Sequence, residues 1–381
     1  CTDGKILATA TAVNSQRSFG ADVVSRIGAA CHGKGKALQK AVRRDLTRLM
    51  KQLLKDHPGT AARCRQMAIA ANTTMLHLLM GWPCDGLGDW PFHPVSLGGK
   101  TYRAQEVLGP QSPLADATVT LLPGMSTYVG ADITAGIWQC GLASSDDVSL
   151  FVDLGTNGEM VLGNKDQRFI ASAPAGPALE GGKLTWGTGS VPGAICGVRI
   201  ERGRAKVRTI DHAVPVGICG TGILEAMAGL VREGLVDETG KLVEPYFHKG
   251  FPLASTLDYQ RITLSQQDIR EIQMAKSAIR AGIESLIERS GISRQRVHQV
   301  FLAGGFGYYL DPQKAAVIGL LPADLAERTT AVGNTSLKGA IGLLTGAVTL
   351  EELQAIAAGV EEIVLGNDEA FQRLYIDYLN F

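Results

Sequence analysis

Val152-Asp153-Leu154-Gly155-Thr156-Asn157-Gly158-Glu159 is the stretch on which the fold turns. Ser149-Leu150-Phe151-Val152 reads as a buried strand with an acid at its end, and a second apolar run begins at Met160-Val161-Leu162. Strand, glycine-rich turn, strand is a hairpin whose tip can set backbone N–H groups against an anion. Gly155 and Gly158 permit the turn and a close approach, and the Thr156 hydroxyl can donate to a phosphate oxygen. Asp153 cannot face a phosphate unless a cation intervenes, which implies Mg²⁺. The plainer reading is an ordinary Asn-Gly hairpin with an acid at its shoulder, and on this stretch alone it is favoured. The companions of the hairpin decide between the two.

Downstream, Ala175-Gly176-Pro177-Ala178-Leu179-Glu180-Gly181-Gly182 reads as a rigid loop. Gly217-Ile218-Cys219-Gly220-Thr221-Gly222 leads into a helix predicted over Ile223–Glu233. Free N–H groups at such a start make an anion or ribose site, although alone it is a plain helix start. Ser265 and Asp268 form a capping box ahead of a helix with Ile269, Ile272, Ile279, Ile283, Leu286 and Ile287 inward. Val297–Ala303 is then a buried strand ending in Gly304-Gly305-Phe306-Gly307, whose double glycine can receive a flat ring against bare backbone. Upstream, Gly130–Gly136 reads as a helix with Ala131, Thr134 and Ala135 on one small-sided face. Gly339, Gly342 and Gly346 give a second such face, and two crossing helices of this kind suit a hinge between lobes.

Towards the N-terminus, Asp3-Gly4 reads as a turn into a strand over Lys5–Ala12, and a helix starts within Phe19–Ile27. Lys36–Lys55 is a longer helix with a stripe of Leu38, Val42, Leu46, Leu49 and Leu53. Its remaining face carries Lys40, Arg43, Arg44, Arg48, Lys51 and Lys55, read as solvated rather than as a docking surface. Gln66–Ala71 is a short strand, and Asn72-Thr73-Thr74 caps a helix over Met75–Met80. Trp82–Pro94 is a proline-rich surface excursion, Val119–Leu122 another strand. His77 and His93 lack a metal spacing and read as structural.

The 381 residues suffice for two lobes with separate cores, and 37 basic against 37 acidic residues favour neither nucleic acid nor an anionic membrane as partner. The 46 glycines exceed the usual ~7% and lie in short clusters, which points to tight turns at a ligand site. No apolar run is long enough to span a bilayer, and no signal pattern stands at the start. Seven cysteines without a C-x-x-C pair read as reduced thiols of a cytoplasmic protein, with zinc or an iron–sulfur cluster not expected within this chain. The chain opens at Cys1 inside a strand-like run and reads as part of something longer.

Hairpin with an acid, glycine loop into a helix, strand into Gly-Gly, then a small-faced helix resembles the acetate-and-sugar-kinase, heat-shock-protein and actin superfamily of two-lobed ATPases. The wording of Phe19-Gly20-Ala21-Asp22-Val23, Asn72–Leu78, Asp153–Glu159, Ala175–Gly181 and Leu302–Gly307 is similar to the reductive activators of corrinoid proteins, across nearly the whole chain. The resemblance implies an α/β, two-lobed, actin-like (ribonuclease-H-like) ATPase fold with mixed sheets flanked by helices. The lobes are expected over 1–136 and 137–345, with 346–381 packing back on the first. It implies ATP and Mg²⁺ as ligands and ATP-driven reduction of cob(II)alamin to cob(I)alamin in a corrinoid (iron–sulfur or methyltransferase) protein. Gly155, Thr156, Asn157 and Gly158 would then hold phosphates and Asp153 the metal. Gly304, Gly305 and Phe306 would hold adenine, with Gly220, Thr221 and Glu225 on the ribose side. Asp132, with Glu159 second, is the candidate for positioning the attacking water. An electron-donating ferredoxin domain with a [2Fe–2S] cluster and a first phosphate loop would precede Asp3, and a homodimer is compatible. Competing expectations are a small-metabolite kinase, a dehydratase-activating ATPase, and a non-hydrolysing module that docks a corrinoid protein.

Overall fold

The structure is a computed structural model and describes residues 4–57, 59–305 and 310–381. Strands in chain order are β1 (Gln66–Ile69), β2 (Lys100–Arg103), β3 (Thr118–Leu121), β4 (Val148–Leu154), β5 (Gly158–Gly163), β6 (Arg168–Ala173) and β7 (Ala194–Glu201). They continue with β8 (Arg204–Thr209), β9 (Gly217–Ile218), β10 (Phe251–Ser255), β11 (Arg261–Leu264), β12 (Val297–Ala303), β13 (Thr329–Gly333) and β14 (Glu361–Glu362). Helices α1 (Val23–Ala29), α2 (Gly35–Asp56), α3 (Thr73–Met80), α4 (Asp85–Gly88), α5 (Ala104–Leu108) and α6 (Ala131–Gln139) lie in the first part of the chain. The rest are α7 (Gly220–Arg232), α8 (Tyr246–Lys249), α9 (Gln266–Ser290), α10 (Pro312–Val317), α11 (Thr335–Thr345), α12 (Leu350–Ala358) and α13 (Glu369–Asp377). No helix among the described residues is long and apolar enough to cross a membrane.

The chain divides into two compact units. Unit 1 comprises 1–143 with 335–360, and unit 2 comprises 144–334 with 361–381. This differs from the division expected at 136 and 345, because α11 packs on α6 in unit 1. The last segment, expected as a whole on the first lobe, is divided, with 346–360 in unit 1. Residues 361–381 join unit 2, where β14 pairs with β6 and α13 packs on α9.

In unit 1 a small sheet of order β1-β3-β2 packs on α5 and shares an apolar cluster with α2 and α3. Asn72 caps α3 by accepting from the Met75 N–H at 2.8 Å, as its sequence position predicts. His77 on α3 is fully buried, accepts from the Val95 N–H at 3.0 Å and contacts the Thr73 carbonyl at 2.9 Å, so its role is structural. The stripe of α2 differs in its second half. Leu38, Val42 and Leu46 face the core as expected, but Met50 and Leu54 then join the apolar cluster, and Leu49 and Leu53 are in none of the clusters among the described residues. Contacts at every fourth residue drift around a helix of 3.6 residues per turn, and the inward face drifts with them. The expected strand over Lys5–Ala12 is irregular, with Ile6 and Leu7 more than half exposed and no sheet partner among the described residues. Asp3 of the predicted turn lies outside the described residues.

The small-sided faces do meet, within unit 1. A Cβ built on Gly339 would lie 2.3 Å from the Ala135 Cβ, and one on Gly342 would lie 2.3 Å from the Trp138 ring. Backbone of α11 therefore rests directly on α6, a distance only glycine permits. Gly346, at φ +74°, follows the end of α11.

Unit 2 is built on a six-stranded sheet of order β13-β12-β4-β5-β6-β14. Strand β4 (VSLFVDL) is buried at every position but Asp153, the near-continuous apolar pattern of a central strand. Helix α9 covers β5 and β6, with Ile269, Ile272, Ile279, Ile283 and Leu286 fully buried and its capping box in place. A separate sheet of order β8-β7-β9 carries α7. Mixed sheets flanked by helices are the α/β architecture that the order of motifs along the chain leads one to expect.

Candidate functional site

The site begins with register. Strands β4 and β5 pair antiparallel with Asp153 opposite Glu159 and Leu154 opposite Gly158, while β12 runs parallel to β4 with Ala303 beside Asp153. Residues opposite each other in a ladder put side chains on one face, roughly 5 Å apart at Cβ. Two carboxylates so placed are unfavourable neighbours unless positive charge comes between them, and that donor set fits a divalent cation. Asp153 is half-buried and Glu159 buried.

The turn between them is tight, since the Gly155 N–H donates to the Asn157 carbonyl at 3.2 Å. One of the N–H groups expected at the tip is thus spent inside the turn. The glycines serve different ends. A Cβ on Gly158 would lie 2.0 Å from Ile279 Cδ1, so this glycine lets α9 pack on the hairpin. At Gly155 a Cβ would meet nothing closer than the Asn157 oxygen at 3.5 Å, so the fold itself does not require glycine there.

Gly304, at φ +111°, follows β12, and a Cβ there would lie 2.4 Å from the Leu154 oxygen. Gly304 therefore abuts the end of β4, where the hairpin turn begins. Gly305 is exposed with no atom within 4 Å of a built Cβ, and Phe306 lies outside the described residues.

Helix α7 starts at Gly220, earlier than the predicted Ile223, which puts Gly220, Thr221 and Gly222 in its first turn. All three are buried, and Gly222 abuts the Ile195 oxygen, 2.1 Å from a built Cβ. Burial raises the Cys219 thiol pKa, and the N–H groups of Gly222 and Thr221 directed at its sulfur pull it back. Cys219 itself makes no side-chain cap on the helix, and its thiol donates to the Ile195 carbonyl at 3.3 Å. Further along α7, Glu225 accepts from the Val198 N–H at 3.0 Å and pairs with Lys314 at 2.8 Å. It lines a cleft of about 680 Å³ between α7 and the β7–β8 hairpin, with Arg199, Lys206, Arg208 and Arg232.

Asp132 belongs to unit 1, in the first turn of α6. Burial pushes its carboxyl up to about 6, against the lowering effect of the N–H groups of Ile133 and Asp132 itself. Gly130 before it lies against Asn72, 2.4 Å from a built Cβ to the Asn72 Cα, so the capped start of α3 and the start of α6 meet here.

Sequence reasoning missed two side chains. Glu180 accepts the Thr156 hydroxyl at 2.5 Å, and Lys314 pairs with Glu225. The only sequence signal for Glu180 is its place between Pro177 and the Gly181-Gly182 pair, which marks a fixed turn.

Comparisons with known proteins bear on the whole chain. Residues 147–381 match a family model described as the C-terminal domain of RACo, the ASKHA domain, and residues 1–145 match the RACo middle region. The chain is similar to the corrinoid activation enzyme RamQ of Eubacterium limosum, 32% identical over 396 residues that cover 98% of this chain and 66% of that protein. It is 28% identical over 311 residues to a [Co(II) methylated amine-specific corrinoid protein] reductase of Methanosarcina barkeri, covering 75% of this chain and 56% of that one. Among solved structures, a reductive activator for corrinoid, iron–sulfur protein superposes with a TM-score of 0.93 at 33% identity, over 100% of this chain and 63% of that chain. The chain thus spans less than two thirds of the length of these relatives.

Proposed function

Because the chain belongs to the RACo family, the reductive activators of corrinoid proteins, we propose that it is the ATP-binding and ATPase region of a protein that returns cob(II)alamin to cob(I)alamin in a corrinoid methyl carrier. The observation that carries this reading is the register that sets Asp153, Glu159 and Ala303 side by side, with the Gly155–Asn157 turn and Gly304 at the same end of the sheet. Thr156 and Asn157 hold phosphates, Gly155 lets them come close, and Gly158 fixes the turn against α9. Asp153 would hold Mg²⁺, which would offset phosphate charge there. Gly304, Gly305 and Phe306 receive adenine. Gly220, Thr221 and Glu225 lie on the ribose side, where the cleft beside Glu225 has the size a small-molecule ligand needs. Asp132 positions the attacking water, with Glu159 second.

Reduction of Co(II) to Co(I) takes one electron, which an iron–sulfur donor of the ferredoxin [2Fe–2S] kind supplies. The part played by this chain is conformational: nucleotide changes how well it holds the corrinoid protein. Such a shift cannot exceed the difference in affinity between states, roughly 1–3 kcal/mol. The test is the affinity for a cognate corrinoid protein in its Co(II) and methylated states, with and without a non-hydrolysable ATP analogue. Preference for Co(II) that changes with the analogue is expected. Binding indifferent to both leaves a docking module and ends the activation reading.

A further inference from the structure

Glu180 ends the turn Pro177–Glu180, and its carboxylate reaches over the hairpin. Its Oε2 accepts the Thr156 hydroxyl at 2.5 Å, and its Oε1 lies 3.9 Å from where a Cβ on Gly155 would sit. The base of Glu180 is well fixed although its head is exposed. Gly176 (φ +73°) and Pro177 open the turn, and Gly181 (φ +84°) closes it so near Thr188 that a Cβ would lie 2.8 Å from that residue's N and O. A carboxylate is thereby held across the tip to which phosphates would come.

A threonine hydroxyl has one proton to give. While Glu180 takes it, Thr156 cannot donate to a phosphate oxygen, and the negative charge at Gly155 opposes an anion at the same place. We propose that Glu180 makes this loop discriminate between nucleotide carrying a divalent cation and the bare anion. It is a positioning residue that acts through Thr156, and the proposal rests on ATP binding at this hairpin. Bare nucleotide meets a carboxylate and a committed hydroxyl. Nucleotide with its charge partly offset by a cation draws Glu180 towards that cation, and the Thr156 proton is released to the phosphate.

Calorimetric titration with the non-hydrolysable analogue, in magnesium and in chelator, tests this without any need for turnover. The parent chain should bind at least tenfold more tightly in magnesium. Glu180→Gln keeps the length and removes the charge, and should tighten binding in chelator about tenfold while changing the magnesium value little. Glu180→Asp should restore most of the discrimination. Circular dichroism of each variant controls for folding. An unchanged magnesium-to-chelator ratio in Glu180→Gln overturns the proposal, and so does equal weakening in both buffers, the mark of a merely structural glutamate. If the parent binds no nucleotide in either buffer, ATP binding at this hairpin is wrong and the inference falls with it, an outcome distinct from the other two.

Discussion

Gly304 and Gly305 are neighbours under different constraints. Gly304 has a left-handed backbone and no room for a Cβ, so any substitution there disturbs β12 before it disturbs a ligand. Gly305 has open space, so Gly305→Val should keep the parent's melting temperature and weaken ATP binding at least tenfold, about 1.4 kcal/mol. Unchanged affinity by calorimetry would remove adenine from this position. Asp132 gives a pH prediction. Its pKa is raised from 3.8 to about 6 by burial, and a water-positioning carboxylate works ionised. Turnover should therefore fall as pH drops through about 6, and Asp132→Asn should abolish that limb along with most activity. The stability sign runs the other way: a raised carboxyl favours the folded state below its ordinary value and that contribution fades as pH rises through 6. The hairpin was legible in the sequence, because an acid, a glycine turn and a second apolar run mark two paired strands. Gly158 was not. Its glycine answers to Ile279, far along the chain, and no local pattern distinguishes a packing glycine from a phosphate glycine. Glu180 was hidden for the same reason, since its partner Thr156 lies on another turn.

At the scale of elements, the contact of α6 with α11 is a demanding one. Gly339→Val would drive a branched side chain into Ala135, and overpacking of this kind costs about 1–3 kcal/mol. A lowered urea midpoint with unchanged slope is expected, whereas an unchanged midpoint would mean that the helices separate at no cost. The pairing was readable because small residues at helical spacing have few other uses. Helix boundaries were less so. Helix α7 starts earlier than predicted although Gly220 and Gly222 are poor helix formers, since Gly222 packs on Ile195 of β7, which tertiary contact alone supplies. The second half of the α2 stripe was misassigned since Leu49 and Met50, and Leu53 and Leu54, are equally apolar, and only the neighbours choose between them.

For the molecule as a whole, the segment 361–381 was expected on the wrong unit, and its anchor is a buried lysine. Lys276 on α9 is 1% exposed, donates to the Asn380 carbonyl and lies 5.0 Å from the Phe381 ring centroid. Burial, then the nearby Arg280, lowers its pKa from 10.5 to about 8. A depressed lysine contributes stability above its ordinary value that is lost as pH falls through 8. Chemical unfolding of unit 2 should therefore show a midpoint that drops between pH 10 and pH 7, and Lys276→Met should flatten that dependence. An equally steep slope in the variant would place the titration elsewhere. The division of the chain also has a consequence for its birth on the ribosome. Unit 1 needs residues 335–360 and unit 2 needs 361–381, so neither core can close when its first part emerges. Domains usually fold in the order they are made. Here the bare face of α6 around Ala135 must wait in water for residues 335–360, and the flank of α9 around Lys276 for residues 361–381. A nascent chain stalled before residue 335 should thus be a ready client for chaperones that hold apolar surface.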